Sequence, residues 1–225
     1  MSDAVFASLC FLNQKGDCVN SYKTIRKAAK DEYIVKKSRF IGHIAPVTTQ
    51  EEALEFIQSV SKKHWDATHN VYAYILRDGG IKRYSDDGEP QGTAGIPTLD
   101  VLEKSGVTDC AVVVTRYFGG IMLGAGGLVR AYSHSASIAV AAGGIVTRAM
   151  CARLKVTCDY YFYGKLSSLV PEKGGVIEDT IFEDNVTLVF RLPLELVDGF
   201  NANLVDVSNG RYKAEKIDEF FSDVD

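Results

Sequence analysis

No apolar run in this chain approaches the roughly 18 residues that a helical membrane span needs. The opening stretch, Met1 to Leu12, has no basic segment and only a short apolar part, so no secretory signal peptide is expected. The five cysteines (Cys10, Cys18, Cys110, Cys151, Cys158) form no CxxC pair. Their odd number and loose spacing fit reduced thiols better than a disulfide framework or a zinc site. A cytoplasmic location is therefore expected by default. There is no GxxxxGK[ST] phosphate loop, no dinucleotide fingerprint inside a βαβ unit, no calcium-loop spacing and no GxSxG or paired Cys/His nucleophile signature. Low-complexity segments are absent, and the two halves do not look like copies of each other.

What is present is ordinary globular material. The 225 residues are 46% apolar and 24% charged, enough for one large domain or two small ones. The net charge of −4 hides an asymmetry. Residues 145–225 carry nine Lys/Arg against fourteen Asp/Glu, and residues 1–144 carry sixteen against fifteen. Neither half is basic in bulk, so any nucleic-acid surface must be a local patch.

Residues 1–20 show little periodicity and are expected to form a flexible N-terminal extension. Strand patterns follow near Lys23–Ala28, Tyr33–Val35 and Arg39–Pro46. Thr49 before Glu51 and Glu52 predicts a helix N-cap, and the helix runs to about Lys63 with Ala53, Leu54, Ile57 and Val60 inward. A strand at Val71–Leu76 leads through a turn at Arg77–Gly80 to an irregular stretch, Ser85–Gly95. A helix beginning near Pro97 and ending at Gly106 comes next. Val112–Thr115 predicts a buried strand. A helix follows with Leu128, Ala131, Tyr132, Ser135 and Ala139 on one face. Gly143-Gly144 marks a domain boundary. Beyond it, Met150–Cys158, Phe162–Leu169, Val176–Phe182, Val186–Leu192, Leu194–Val207 and Tyr212–Ile217 give the order βαββαβ, a ferredoxin-like unit. The expected organisation is an extension (1–20), an α+β domain (21–144), a ferredoxin-like domain (147–218) and a tail (219–225).

Three clusters carry chemistry. Between the strand at Val112 and the helix at Leu128 lie Gly119, Gly120, Gly124, Gly126 and Gly127, bracketed by Arg116 and Arg130. Backbone N–H groups at such a strand–turn–helix junction are suited to an anion, with arginine as a bidentate partner. The same glycines would equally serve close packing of helix on sheet, and both readings stay open. Asp86, Asp87 and Glu89 fall within Ser85–Pro90. They suit Mg²⁺ binding or acid–base work, but also an Asx-rich turn or an ion pair to Arg116. Lys37 and Arg39, next to Lys36 and near Arg26, Lys27 and Lys30, make the strongest local basic cluster. Beside Tyr33 and Phe40 it could meet phosphates and bases, or be a solvated strand face. His64 and His69 have no third metal ligand in view, and Thr68-His69-Asn70 is expected to order the turn before a strand. His43 and His134 are isolated and fit structural roles.

Lys37–Ile41, Asp66–Asn70, Ser85–Pro90, Gly92–Gly95, Val113–Gly120 and Leu123–Tyr132 resemble the signature blocks of the YigZ/IMPACT family in their order. The resemblance covers about residues 22–145, and the region from about 147 resembles the C-terminal domain of bacterial YigZ-type members. It implies an N-terminal domain like the second domain of ribosomal protein S5, an α/β sandwich, and a C-terminal domain like one in elongation factor G. Eukaryotic IMPACT regulates translation through the activator of a stress kinase, using a further domain that this chain lacks. The resemblance thus implies a link to translation and to RNA, ribosome or translation-factor partners.

The expected function is a cytosolic binding protein that regulates translation and holds RNA, ribosome or nucleotide. Arg116, the turn Gly119–Gly127, Arg130, Lys37 and Arg39 would bind. No membrane partner or cofactor is expected, and the chain would be a monomer or weak homo-oligomer. The alternative is a small enzyme acting on a phosphorylated substrate, with Asp86, Asp87 and Glu89, and Mg²⁺, facing the glycine turn.

Overall fold

The computed structural model describes residues 21–224. The expected extension at 1–20 lies outside them. The chain divides into two compact units, one over Tyr22–Thr147 and one from Arg148 onward. Among the described residues no helix is long and apolar enough to cross a membrane.

The first unit contains β1 (Ser21–Ile25), β2 (Ala29–Val35), β3 (Ser38–Pro46), α1 (Gln50–Lys63), β4 (His69–Ile75), β5 (Lys82–Ser85), α2 (Gly95–Ser105), β6 (Cys110–Tyr117) and α3 (Ala125–Gly143). Its sheet runs β2-β3-β6-β4-β5, every neighbouring pair antiparallel. Helices cover both faces. On one, Ala53, Ile57 and Val60 of α1 pack in a cluster with Tyr74, Ala111 and Val113. On the other, Leu102 of α2 and Leu128, Tyr132 and Ala136 of α3 cluster with Phe40, Ile44, Val112 and Val114. The central strand β6 is thus buried on both sides, which is why its residues read as an unbroken apolar run.

Thr49 caps α1, accepting from the Glu52 N–H at 3.2 Å. Glu52 in turn accepts from the N–H and hydroxyl of Thr48, and these donors hold its carboxyl below the ordinary range. Thr49→Ala is expected to lower stability by about 1 kcal/mol in urea unfolding. Leu54, expected inward, is 39% exposed, because it lies beside the buried stripe rather than on it.

The second unit is built from β7 (Ile145–Cys158), which carries the chain into it, α4 (Tyr160–Glu172), β8 (Val176–Phe182), β9 (Val186–Pro193), α5 (Val197–Ser208) and β10 (Glu215–Asp223). The antiparallel order β8-β9-β7-β10 places the first strand of the unit between its third and fourth. This is the ferredoxin-like arrangement. Phe162, Leu166, Phe200 and Leu204 of the helices pack with Leu154, Val156, Leu188 and Phe190 of the sheet.

The expected tail at 219–225 needs correction at its start. Strand β10 continues to Asp223, with Glu219–Asp223 paired to Ala152–Arg148 of β7. Acidic residues of this stretch are ion-pair partners: Glu219 meets Lys216 at 2.6 Å and Asp223 meets Arg148 at 3.3 Å. Cys110, Cys151 and Cys158 are free thiols, and burial pushes the pKa of each upward.

Candidate functional site

The signature segments of the first unit meet at one end of its sheet, where β2, β5 and β6 finish and β3 and β4 begin. Arg116 sits near the end of β6, opposite Phe40 on β3 and His69 on β4. Its guanidinium turns into the protein. It hydrogen-bonds Glu89 and lies 5.5 Å from the Phe40 ring centroid and 5.4 Å from that of Phe118. Glu89 also accepts from the Tyr132 hydroxyl at 2.8 Å, and its side chain is 3% exposed. Burial first, then the Glu89 carboxylate, pushes the Tyr132 phenol pKa up.

The other two carboxylates are committed elsewhere. Asp86 accepts backbone N–H groups from Gly92, Ala94 and Gly95 and so caps the start of α2. Burial opposes its charge, yet the amides of Gly92, Gly95 and Ala94 hold its pKa below the ordinary value. Asp87 accepts from the Asn70 N–H at 2.6 Å, while its own carbonyl meets His69 Nδ1 at 2.6 Å. Asn70 continues the chain of contacts, accepting from Thr115 Oγ1 and donating to the His64 carbonyl.

Among the readings of Ser85–Pro90, this geometry matches the capping turn and the internal ion pair. Asp86, Asp87 and Glu89 are each held by different donors. They lock the loop onto β4, β6 and α3 rather than facing an open glycine turn. Arg116, expected to bind an anion, is buried with the Glu89 carboxylate against its guanidinium.

The glycines also divide by role. A Cβ on Gly119 would stand 2.0 Å from the carbonyl carbon of Lys37, so only glycine lets the loop cross the β2–β3 hairpin. Its N–H is taken by Ser38 Oγ at 3.1 Å and is not free for a ligand. Gly124 precedes α3 with φ +72°, and its carbonyl accepts from Gly127 and Leu128. Gly120 and Gly126 are exposed, and no side chain caps the amino end of α3. Next to that end is a cleft of about 170 Å³ lined by Tyr33, Val35, Lys36, Leu123, Gly127, Arg130 and Ala131. Arg130 reaches toward Gly126: a Cβ there would lie 4.0 Å from its Nη1.

Lys36 and Lys37 form the two-residue tip of the β2–β3 hairpin, both at positive φ. Arg39 points elsewhere, paired with Glu32 at 2.7 Å. The structure therefore brings Arg130, the free amino end of α3 and the hairpin tip together. It leaves Arg116 and Arg39 outside the cleft, each with a carboxylate of its own.

Residues 36–140 match the Impact N-terminal domain, and residues 156–211 match a domain of unknown function, DUF1949. IMPACT family member YvyE of Bacillus subtilis is 40% identical over 194 residues, covering 86% of this chain and 89% of the relative. The chain belongs to the IMPACT family. IMPACT family member YigZ of Escherichia coli is 36% identical over 188 residues, covering 82% of this chain and 92% of its own. A solved structure described as a hypothetical protein aligns with a TM-score of 0.57 at 33% identity, over 89% of this chain and 98% of that one.

Every residue expected from the sequence to bind or react, from Lys37 to Arg130, lies inside the Impact N-terminal match. Some features of this IMPACT-family chain escaped sequence reasoning. Trp65 and Met122 are each 83% exposed, and Phe118 is 49% exposed. The signal was faint: a tryptophan just past the end of a helix, and apolar residues inside a glycine-rich turn where there is no core for them to join. A contact between buried His43 and half-buried His64 was also missed. Their ring centroids lie 5.0 Å apart with the rings tilted at 51°, and neither Nε2 has a hydrogen-bond partner among the described residues.

Proposed function

We propose that this IMPACT-family chain is a binding protein connected with translation, and that it holds the phosphates of RNA in the cleft at the amino end of α3. One observation carries the reading. The cleft has two cations on its lining, Lys36 and Arg130, and no carboxylate. Neither cation has an ion-pair partner among the described residues, whereas most arginines of the second unit are paired.

Two further features support it. The α3 amino end adds uncapped N–H groups and the positive end of the helix dipole. The hairpin tip places lysines, not glycine or asparagine, at φ +45° and +64°. That conformation is costly for ordinary side chains, so the turn keeps charge at the expense of backbone ease. The link to translation comes from the family, and RNA is the phosphate polymer that goes with it.

Binding should weaken linearly on a log–log plot as salt rises. Lys36→Ala and Arg130→Ala should each reduce the slope by about one and weaken all RNA sequences alike. Fluorescence anisotropy of labelled RNA across a salt series measures this. RNA binding that is absent, or independent of salt and of both side chains, overturns the reading.

A further inference from the structure

Resting on that reading, a second set of side chains at the same end of the sheet specifies the form of the RNA. Trp65 and Met122 at 83% exposure are large apolar groups almost wholly in water. Single exposed apolar residues are commonplace, but three large ones, Trp65, Phe118 and Met122, on two adjoining turns call for an account. Hydrogen bonds place the turn after α1 against the loop after β6. Phe118 N–H donates to Thr68 Oγ1 at 3.1 Å, Thr68 N–H to the Arg116 carbonyl at 2.9 Å, and the Tyr117 hydroxyl to Asp66 at 3.1 Å. Trp65 and Phe118 thus rise from neighbouring turns, and Met122 lies further along the same loop toward α3.

Charge decides what such a patch suits. Lys62 and Lys63 end α1 just before Trp65, and Lys36, Lys37 and Arg130 stand at the other side of the loop. None of the five has an ion-pair partner among the described residues, while Asp66, the acid beside Trp65, is engaged by Tyr117. Exposed π faces between unpaired cations match a polyanion that carries flat apolar groups. A duplex hides its base faces in the stack, whereas a single strand can lay them on aromatic side chains.

We propose that this end of the first unit binds single-stranded RNA, with unpaired bases resting on Trp65 and Phe118 and phosphates running between the Lys62–Lys63 and Lys36–Arg130 sides.

The chain has one tryptophan, so its fluorescence reports this contact directly. The full chain is titrated with a short oligouridylate and with an RNA duplex of the same length. Both anisotropy of the labelled RNA and tryptophan emission are followed. The single strand should quench Trp65 with the same midpoint as the anisotropy change, and bind more tightly than the duplex. Trp65→Ala and Phe118→Ala should each weaken single-strand binding by about tenfold and leave duplex binding nearly unchanged. Circular dichroism confirms that both variants are folded.

Equal binding of the two forms without quenching overturns this inference, as does single-strand binding unaffected by both aromatic variants. Preferential capture by anionic phospholipid vesicles, lost in Trp65→Ala while RNA is ignored, also overturns it. If binding still depends on Lys36 and Arg130 but not on Trp65 and Phe118, the phosphate cleft stands and only the single-strand inference falls. If no RNA binds, both fall.

Discussion

Arg116→Ala lowers the stability of the first unit by about 3–5 kcal/mol, the range for breaking a buried ion pair by removing one partner. The loss comes from what remains. Glu89, with 3% of its side chain exposed, keeps one strong donor, the Tyr132 hydroxyl. His69 Nε2, at 3.9 Å, is too far to replace a guanidinium hydrogen bond. The carboxylate must then stay charged in a poor environment or take up a proton. The guanidinium also lies near the rings of Phe40 and Phe118, and that contact is lost too.

Arg116→Lys should recover only part of the stability, because an ammonium cannot reproduce the planar guanidinium between two rings. In Arg116→Ala/Glu89→Ala the total loss should be clearly smaller than the sum of the single losses, since neither charge is then stranded. Urea unfolding of the parent, both Arg116 variants, Glu89→Ala and the double variant measures this. A loss below about 1 kcal/mol for Arg116→Ala would show that Glu89 does not depend on it. RNA affinity of the folded fraction should stay within about twofold of the parent, unlike that of Arg130→Ala.

Arg116 also shows where sequence reasoning ran short. Its position next to a glycine turn and its wealth of donors were legible, and so was an ion pair to the Asp86–Glu89 loop as one option among several. Which option wins depends on how deeply the side chain is buried, and a strand's period reveals its face but not its depth. The cap at Thr49, the inward stripe of α3 and the ferredoxin-like order were legible for the opposite reason. Each follows from local chemistry or from periodicity that one chain segment carries by itself.

Gly119 is an intermediate case. Its need to be glycine could be suspected, but its reason is the Lys37 backbone, which lies 82 positions earlier in the chain. The extent of β10 was missed because its acidic residues are compatible with a strand only once Arg148 and Arg153 lie alongside. The residues now proposed to bind RNA share that dependence. Lys36 and Arg130 are separated widely in sequence, and only the pairing of β2 with β3 and the seating of α3 bring them to one cleft.

Buried His43, with half-buried His64 beside it, predicts a loss of stability in mild acid. Burial first, then the neighbouring charge of His64 and of Lys30 and Lys63, pushes the pKa of His43 from 6.5 down to about 4. His43 faces Val113 across the β3–β6 register, and the ring of His64 at the end of α1 covers it. The pKa of His64 is lowered as well, chiefly by burial and then by Lys63. Since the Tyr117 hydroxyl donates to Asp66, His64 Nδ1–H must be the donor to Tyr117, and neutral His64 keeps its proton there.

The unfolded chain takes up the His43 proton near pH 6.5, and the folded chain only near pH 4. Between those values the unfolded state holds more protons, so stability falls as pH falls. The contribution is complete above about pH 6.5 and gone below about pH 4. For His43 it amounts to about 3 kcal/mol, at 1.36 kcal/mol per pH unit of separation. The carboxylates with lowered pKa, Glu32, Glu52, Asp86 and Asp159, act in the same direction but at more acidic pH, so the interval from 6.5 to about 5 belongs to the histidines. Urea unfolding from pH 7.5 to 5 should show stability dropping steadily below 6.5. His43→Gln should start lower, from altered packing, and fall less steeply over the same interval. A parent stability that is flat over the interval, or an undiminished slope in His43→Gln, would place the acid sensitivity elsewhere.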